Sequence, residues 1–160
     1  MRELIAAYKF HGRFAEGYVL AKLLSTTMRD HYSANPDQRP QRLIPVPLHR
    51  TRLQERGFNQ AAELAKTVSR DCAIPVGHRY VERIRHTAAQ SSLTGADRRH
   101  NLRDAFSITS SEKFHGIESV AVIDDVVTTG STVIALAETL RAVGVDSIDI
   151  WALARAPGKL

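Results

Sequence analysis

Apolar residues recur along this chain with two different periods, and the alternation between them outlines the elements before any chemistry is considered. Leu4, Ile5 and Tyr8 fall at helical spacing within Glu3–Tyr8, and the run Phe14–Met28 repeats apolar residues on the same period, so two N-terminal helices are predicted. His11-Gly12-Arg13 interrupts the pattern between them, and the polar, proline-bearing stretch 33–41 predicts a loop. Leu43-Ile44-Pro45-Val46 is short and apolar, and Pro45 and Pro47 withhold backbone donors, as expected where a strand runs into a functional loop. A basic loop, His49–Gly57, then leads into Phe58–Arg70, where Ala61, Leu64, Ala65 and Val68 line one helical face. Tyr80–Ile84 predicts a strand, and the polar stretch from Arg85 to Asn101 predicts loop.

The C-terminal third is the most regular. A strand is predicted over Val120–Ile123, a helix from Ser131 to Val143, and a second strand over Ser147–Leu153. Val133, Leu136, Ala137, Leu140 and Val143 share one helix face, and Gly144 stands where a left-handed C-terminal residue is favoured. Strand, helix and strand in that order predict a right-handed parallel crossover. The fold class is therefore α/β, with a mainly parallel central sheet flanked by helices over 42–155 and a helical N-terminal part over 1–34.

Composition narrows this picture. A chain of 160 residues suits a single domain, and 43% hydrophobic with 24% charged residues excludes a disordered or membrane-embedded class. No apolar run approaches a membrane span and Met1–Phe10 lacks the apolar run of a secretory signal, so a cytoplasmic protein without membrane contact is expected. The net charge of +5 and a pI near 9.7 favour anionic partners such as nucleotides, pyrophosphate or nucleic acid. Cys72 is the only cysteine, which excludes an internal disulfide framework and a multi-cysteine zinc site, and it is expected to serve as a small apolar residue. The seven histidines show no pair at the spacing of a helical metal site.

Candidate chemistry concentrates in Val120-Ala-Val-Ile-Asp-Asp-Val-Val-Thr-Thr-Gly-Ser-Thr132. Four apolar residues followed by two carboxylates describe a buried strand that carries Asp124 and Asp125 to its C-terminal end, where open α/β sheets bind ligands. Adjacent carboxylates repel unless a cation or hydroxyl donors compensate, which suggests ribose hydroxyls, magnesium or both; a solvated turn is the plain alternative. Thr128, Thr129, Gly130, Ser131 and Thr132 then place hydroxyls and a glycine at a helix N-terminus, where free amides and the helix dipole attract phosphate. Ordinary capping by Ser131 or Thr132 is compatible with the same pattern. No P-loop lysine and no Gly-x-Gly-x-x-Gly fingerprint is present.

All thirteen of these positions resemble the phosphoribosyl pyrophosphate (PRPP) motif of the type I phosphoribosyltransferase family. The likeness extends over nearly the whole chain to the competence protein F branch (ComF/GntX). It is carried by Tyr8-Lys-Phe-His-Gly-Arg13, by Pro45-Val-Pro-Leu-His-Arg-Thr-Arg-Leu-Gln-Glu-Arg-Gly-Phe-Asn-Gln60, by 83–90 with Leu93, by 98–101 with Ala105-Phe106, and by Ala152–Arg155. That branch begins with a four-cysteine zinc module, which this sequence lacks.

The resemblance implies a type I phosphoribosyltransferase-like fold with a small N-terminal helical hood. It directs Asp124 and Asp125 to the ribose hydroxyls and to magnesium shared with the substrate, and Thr128, Thr129, Gly130, Ser131 and Thr132 to the 5-phosphate. It places pyrophosphate binding at the basic segment, with Arg50, Arg52 and Arg56 as candidates. The stretch 83–101 resembles the loop that closes over PRPP in this fold, which makes Arg85, Thr87, Gln90 and Arg98 candidates there. Relatives that use a loop aspartate as general base carry it where this chain has Thr128. The implied activity is transfer of a phosphoribosyl group from magnesium-PRPP to a nitrogen acceptor. A non-catalytic role with single-stranded DNA or DNA-processing proteins, and a nucleotide-sensing role, are the alternatives; a homo-oligomer is compatible with each.

Overall fold

The computed structural model describes residues 14–85 and 104–155. Helix α1 (Phe14–Ala34) is followed by a short 3-10 turn at Pro36–Gln38, then strand β1 (Arg42–Pro45) and helices α2 (Arg50–Arg56) and α3 (Gln60–Cys72). Strands β2 (Val81–Arg83) and β3 (Phe106–Ile108), β4 (Ser119–Val127), helix α4 (Ser131–Arg141) and strand β5 (Ser147–Arg155) complete the order. The chain is thus α/β, consistent with the type I phosphoribosyltransferase-like arrangement.

Strands β1, β4 and β5 form a parallel sheet with β4 in the centre, Arg42 opposite Val120 on one side and Ser119 opposite Ser147 on the other. Pairing covers both edges of β4 and packed layers cover both of its faces, so its apolar residues alternate between two cores. Ala121 and Ile123 meet Leu20, Leu24 and Met28 of α1 and Leu64 and Val68 of α3. Val120 and Val122 meet Leu136 and Leu140 of α4, together with Phe106 and Phe114. Burying each such Leu or Ile side chain contributes roughly 1.5–3 kcal/mol before chain entropy is counted.

Several boundaries differ from expectation for identifiable reasons. Helix α1 continues past Met28 because Tyr32, buried at 5% exposure, extends the four-residue spacing of Leu20, Leu24 and Met28. It lies against α3 and β5 as a layer of the core, so the described part of the N-terminal helical region flanks the sheet. The basic segment 49–57 is not a loop. It forms α2, with the His49 Nδ1 accepting from the Thr51 amide and Gly57 closing the helix in a left-handed conformation. The stretch Pro75–Gly77 adds to the free edge of β1: the Leu43 amide donates to Pro75 and the Gly77 amide donates to Leu43. Glycine is required at 77, since a Cβ there would fall 2.6 Å from Ile44 Cδ1.

Strands β2 and β3 pair antiparallel as a separate ribbon, Val81 opposite Ile108 and Arg83 opposite Phe106. Residue Phe106 opens a strand that the apolar pattern did not predict, because three residues are too few to show a period. Among the described residues no helix is long and apolar enough to cross a membrane. Cys72 is buried and free, as expected of a small apolar residue, and burial raises its thiol pKa.

Candidate functional site

The parallel sheet ends, at the carboxyl ends of its strands, in a group of loops that brings the candidate residues together. β4 extends beyond Ile123 and carries both aspartates inside the strand. Each carboxylate folds back on the next amide: Asp124 Oδ1 accepts from the Asp125 amide at 2.8 Å, and Asp125 Oδ1 accepts from the Val126 amide at 2.7 Å. Asp124 is half-buried and Asp125 is 8% exposed, a degree of burial unusual for an aspartate and unlike a solvated turn.

Beyond Val127 the chain turns through Thr128 and Thr129, both exposed, to Gly130 at φ 78°. Gly130 is the residue that starts α4, and it supplies no side-chain cap. The Thr129 and Ser131 hydroxyls contact each other at 2.9 Å, while Thr129 Oγ1 lies 3.5 Å from the Ser131 amide. Capping by Ser131 or Thr132 is therefore not what the structure adopts. The first amides of α4 lie beyond the reach of intrahelical acceptors, next to the Thr129 and Ser131 hydroxyls and at the positive end of the dipole of an 11-residue helix.

The opposite wall is formed by the carboxyl end of β1 and the segment leading into α3. The Val46 amide donates to Ile123, which holds the outgoing loop beside the aspartates, and Asn59 Nδ2 donates to the Val46 carbonyl while its Oδ1 caps α3. Arg52 and Arg56, four residues apart, share one face of α2, and Arg50 is turned to another. Arg52 and Arg56 are both half-buried, Arg56 donates to Gln60 Oε1 at 3.4 Å, and Arg50 is exposed.

Arg83, which the sequence reading set at the start of the 83–101 loop without singling it out, instead ends strand β2. Its backbone bridges to His49, its guanidinium lies 5.6 Å over the Phe106 ring, and both the Arg52 guanidinium and the Asp124 carboxylate act on it. Burial lowers its pKa from the ordinary arginine value, Arg52 lowers it further, and Asp124 opposes both. A signal was present: strand period places Arg83 on the same side as buried Val81, with exposed Glu82 between them. Arg85 is exposed, 3.9 Å from Asp104, just beyond the Arg83–Phe106 pair of the ribbon. Thr87, Gln90 and Arg98 lie outside the described residues.

Among the described residues no three His, Cys, Asp or Glu side chains gather into a cluster able to cage a metal. Two hard carboxylate donors at one strand end instead suit a magnesium ion that takes its remaining oxygens from a substrate.

No protein-family model matches the chain. Competence protein F of Haemophilus influenzae is 41% identical over 153 residues, which covers 96% of this chain and 67% of that protein. The chain belongs to the competence protein F family. The DNA utilization protein YhgH of Escherichia coli strain K12 is 34% identical over 95% of the chain and 66% of its own length. Competence protein ComFC of Streptococcus pneumoniae is 23% identical over 97% of the chain and 63% of its own length. The chain thus spans about two thirds of the length of the competence protein F relatives it matches. The aspartates, the threonine loop and Arg83 all fall within the part that the match to competence protein F covers almost completely.

Proposed function

We propose that this domain binds magnesium-PRPP at the C-terminal end of β4 and transfers its phosphoribosyl group to a nitrogen acceptor, in a protein that serves DNA uptake or utilisation. The observation that carries the reading is the juxtaposition of two interior aspartates with a hydroxyl-lined, side-chain-uncapped helix start. Carboxylates at that position accept hydrogen bonds from vicinal ribose hydroxyls, and the α4 amides with Thr128, Thr129, Ser131 and Thr132 donate to a terminal phosphate. Ribose and phosphate would thereby be held at two fixed points, leaving C1 between the strand end and the basic wall.

The acceptor nitrogen forms its bond to C1 while the C1–O bond to diphosphate breaks, the electron pair leaving with the diphosphate and the acceptor proton passing to solvent. Arg52 faces the leaving group and stabilises its growing charge. A magnesium ion, when bound, would supply further charge neutralisation there. Thr128 stands where relatives with a loop base carry aspartate, so the acceptor is one that needs no strong base from that position.

Calorimetric titration with PRPP, with and without magnesium, tests this reading in the wild type and in an Asp124→Asn, Asp125→Asn variant. Magnesium-dependent binding that the variant loses is the expected result. A folded wild type that binds no PRPP would overturn it. The second reading, a non-catalytic DNA-handling domain, is favoured by the names of the relatives and by the net charge of +5. Titration of labelled single-stranded DNA across a salt series tests it, and affinity independent of salt, or absent, counts against it.

A further inference from the structure

We infer that the outer edge of β5 is a self-association surface, to which a second copy of this chain adds its own β5 in antiparallel pairing. The two three-stranded sheets then continue into one. The inference is independent of the phosphoribosyl reading and concerns a side of the sheet that reading leaves unused.

The two edges of the sheet are built differently. The β1 edge is four residues long, contains Pro45 and is covered by Pro75–Gly77. Strand β5 runs for nine residues without proline, glycine or lysine, and among the described residues nothing pairs with its outer side. Natural proteins blunt edges of that length with proline, lysine, bulges or a covering segment, because unpaired amides and carbonyls recruit another strand. The Ser147 amide donates inward to Glu118, so by alternation Ile148, Ile150, Ala152 and Ala154 turn their amides and carbonyls outward.

The sequence of β5 selects a second copy as the occupant. Antiparallel pairing of β5 with itself about a two-fold axis at Ala152 sets Asp149 of each copy opposite Arg155 of the other, giving two ion pairs from one symmetric contact. Neighbouring registers lose both pairs: centred on Trp151, Asp149 meets Leu153, and centred on Ile150 it meets Trp151. Asp149 is fixed in place by the Tyr32 hydroxyl, which donates to its Oδ2 at 2.7 Å, and a carboxylate has a second oxygen to offer a guanidinium. Arg155 is exposed.

Apolar surface flanks the edge on both faces of the sheet. Ile150 pairs with Val122, on the α4 side, and is 41% exposed. On the other face the His31 ring of α1 lies 5.5 Å from that of Trp151, and Thr27 and Leu23 continue its row in four-residue steps, with Leu23 52% exposed. Extension of the sheet through the two-fold axis sets each α1 beside its counterpart, so Leu23 and Ile150 are covered together with the backbone edge.

Sedimentation velocity over a concentration series tests this on the full chain. The wild type is expected to dimerise. Ile150→Lys places a charge on the edge and Ala154→Pro removes an outward donor, and each is expected to raise the dimer dissociation constant at least about tenfold. Neither change removes a bond to β4, and thermal melts check that both variants fold. Arg155→Asp is expected to weaken the dimer about three- to tenfold, and Arg155→Asp combined with Asp149→Arg to restore it to within about threefold, because the pair is exchanged rather than lost. If the exchanged variant does not fold, a salt series gives the same answer: the wild-type dissociation constant rises with ionic strength and that of Arg155→Ala stays flat.

Wild type that stays monomeric up to about 100 μM overturns the inference and assigns the edge to a different occupant. A dimer that Ile150→Lys and Ala154→Pro leave intact overturns it as well. A dimer that Arg155→Asp leaves unchanged overturns the register that pairs Asp149 with Arg155.

Discussion

The two ends of β4 are built from the same central strand and are used in opposite ways. At the Ser119 end, Gln41 closes the sheet: its Oε1 accepts from the Glu118 and Ser119 amides at 2.7 and 3.0 Å, and its Nε2 donates to the Gly116 carbonyl. The Asp146 and Ser147 amides both donate to the Glu118 carbonyl, which ties β5 to the same corner. At the Val127 end, two carboxylates, a positive-φ glycine and a helix start without a side-chain cap stand together. One end uses its polar groups to hold the strands in register, and the other gathers them where the proposed ligand would bind. On the proposed function, stability and binding in this domain would be separable along one strand.

The sharpest way to break that comparison acts at the ligand end. Replacing Asp124 and Asp125 by asparagine is expected to cut PRPP affinity at least about 100-fold while leaving the melting temperature unchanged or raised, because adjacent carboxylates repel. Calorimetry and thermal melts on the same samples check both halves, and a large drop in melting temperature would mean that this end also holds the fold.

At the other end, Gln41→Ala is expected to cost about 1–2 kcal/mol, since the amides it satisfies are partly accessible to water, with PRPP affinity unchanged. Chemical denaturation measures it. Gly130→Ala blurs the division: a Cβ there meets only Ile134 Cδ1 at 3.8 Å, so the cost is conformational, about 1 kcal/mol for a left-handed alanine. It should weaken PRPP several-fold as well, because the loop that cradles phosphate is re-aimed. An unchanged PRPP affinity in Gly130→Ala would place the phosphate elsewhere.

The smallest effect should come from a control distant from both ends. Lys22 bonds to Asp71 at 2.7 Å between α1 and α3 and holds the Asp71 carboxyl below its ordinary pKa. A depressed carboxylate contributes stability above the unfolded-state pKa and loses it as pH falls through the folded value. Lys22→Met should reduce that acid-side dependence, with Ser25 and Arg70 still acting on Asp71, shift the melting temperature at neutral pH by less than about 2 °C, and leave ligand binding untouched.

Much of the fold was legible in the sequence because the apolar period is strong where burial is complete. Val120–Ile123, the face from Val133 to Leu140, and Leu43-Ile44 lie within strands and a helix that the pattern predicts. The pattern weakened where tertiary contacts decide. Tyr32 extended α1 through a bond from its hydroxyl to Asp149 and another from Trp151 Nε1 to that hydroxyl, pairings over 117 and 119 residues. The α2 helix has no buried residue, so no apolar stripe announced it; its start rests on the His49 cap and its end on Gly57. The placement of Arg83 required β2 to pair with β3 and to bridge His49, and neither contact is local.

What the sequence by itself determined is the identity and order of the chemistry on β4: two carboxylates at a strand end, then small hydroxyls and a glycine at a helix start. Local forces suffice for that, since strand period, left-handed glycine and helix geometry act within a few residues of one another. Tertiary structure alone decided which cations face those carboxylates. Arg50, Arg52 and Arg56 are equivalent as letters, but α2 puts Arg52 and Arg56 on one half-buried face and leaves Arg50 exposed, while Arg83 reaches the end of β1 through the pairing of β2 with β3 and its bridge to His49. Charges act across space rather than along the chain, and folding sets the distances between them.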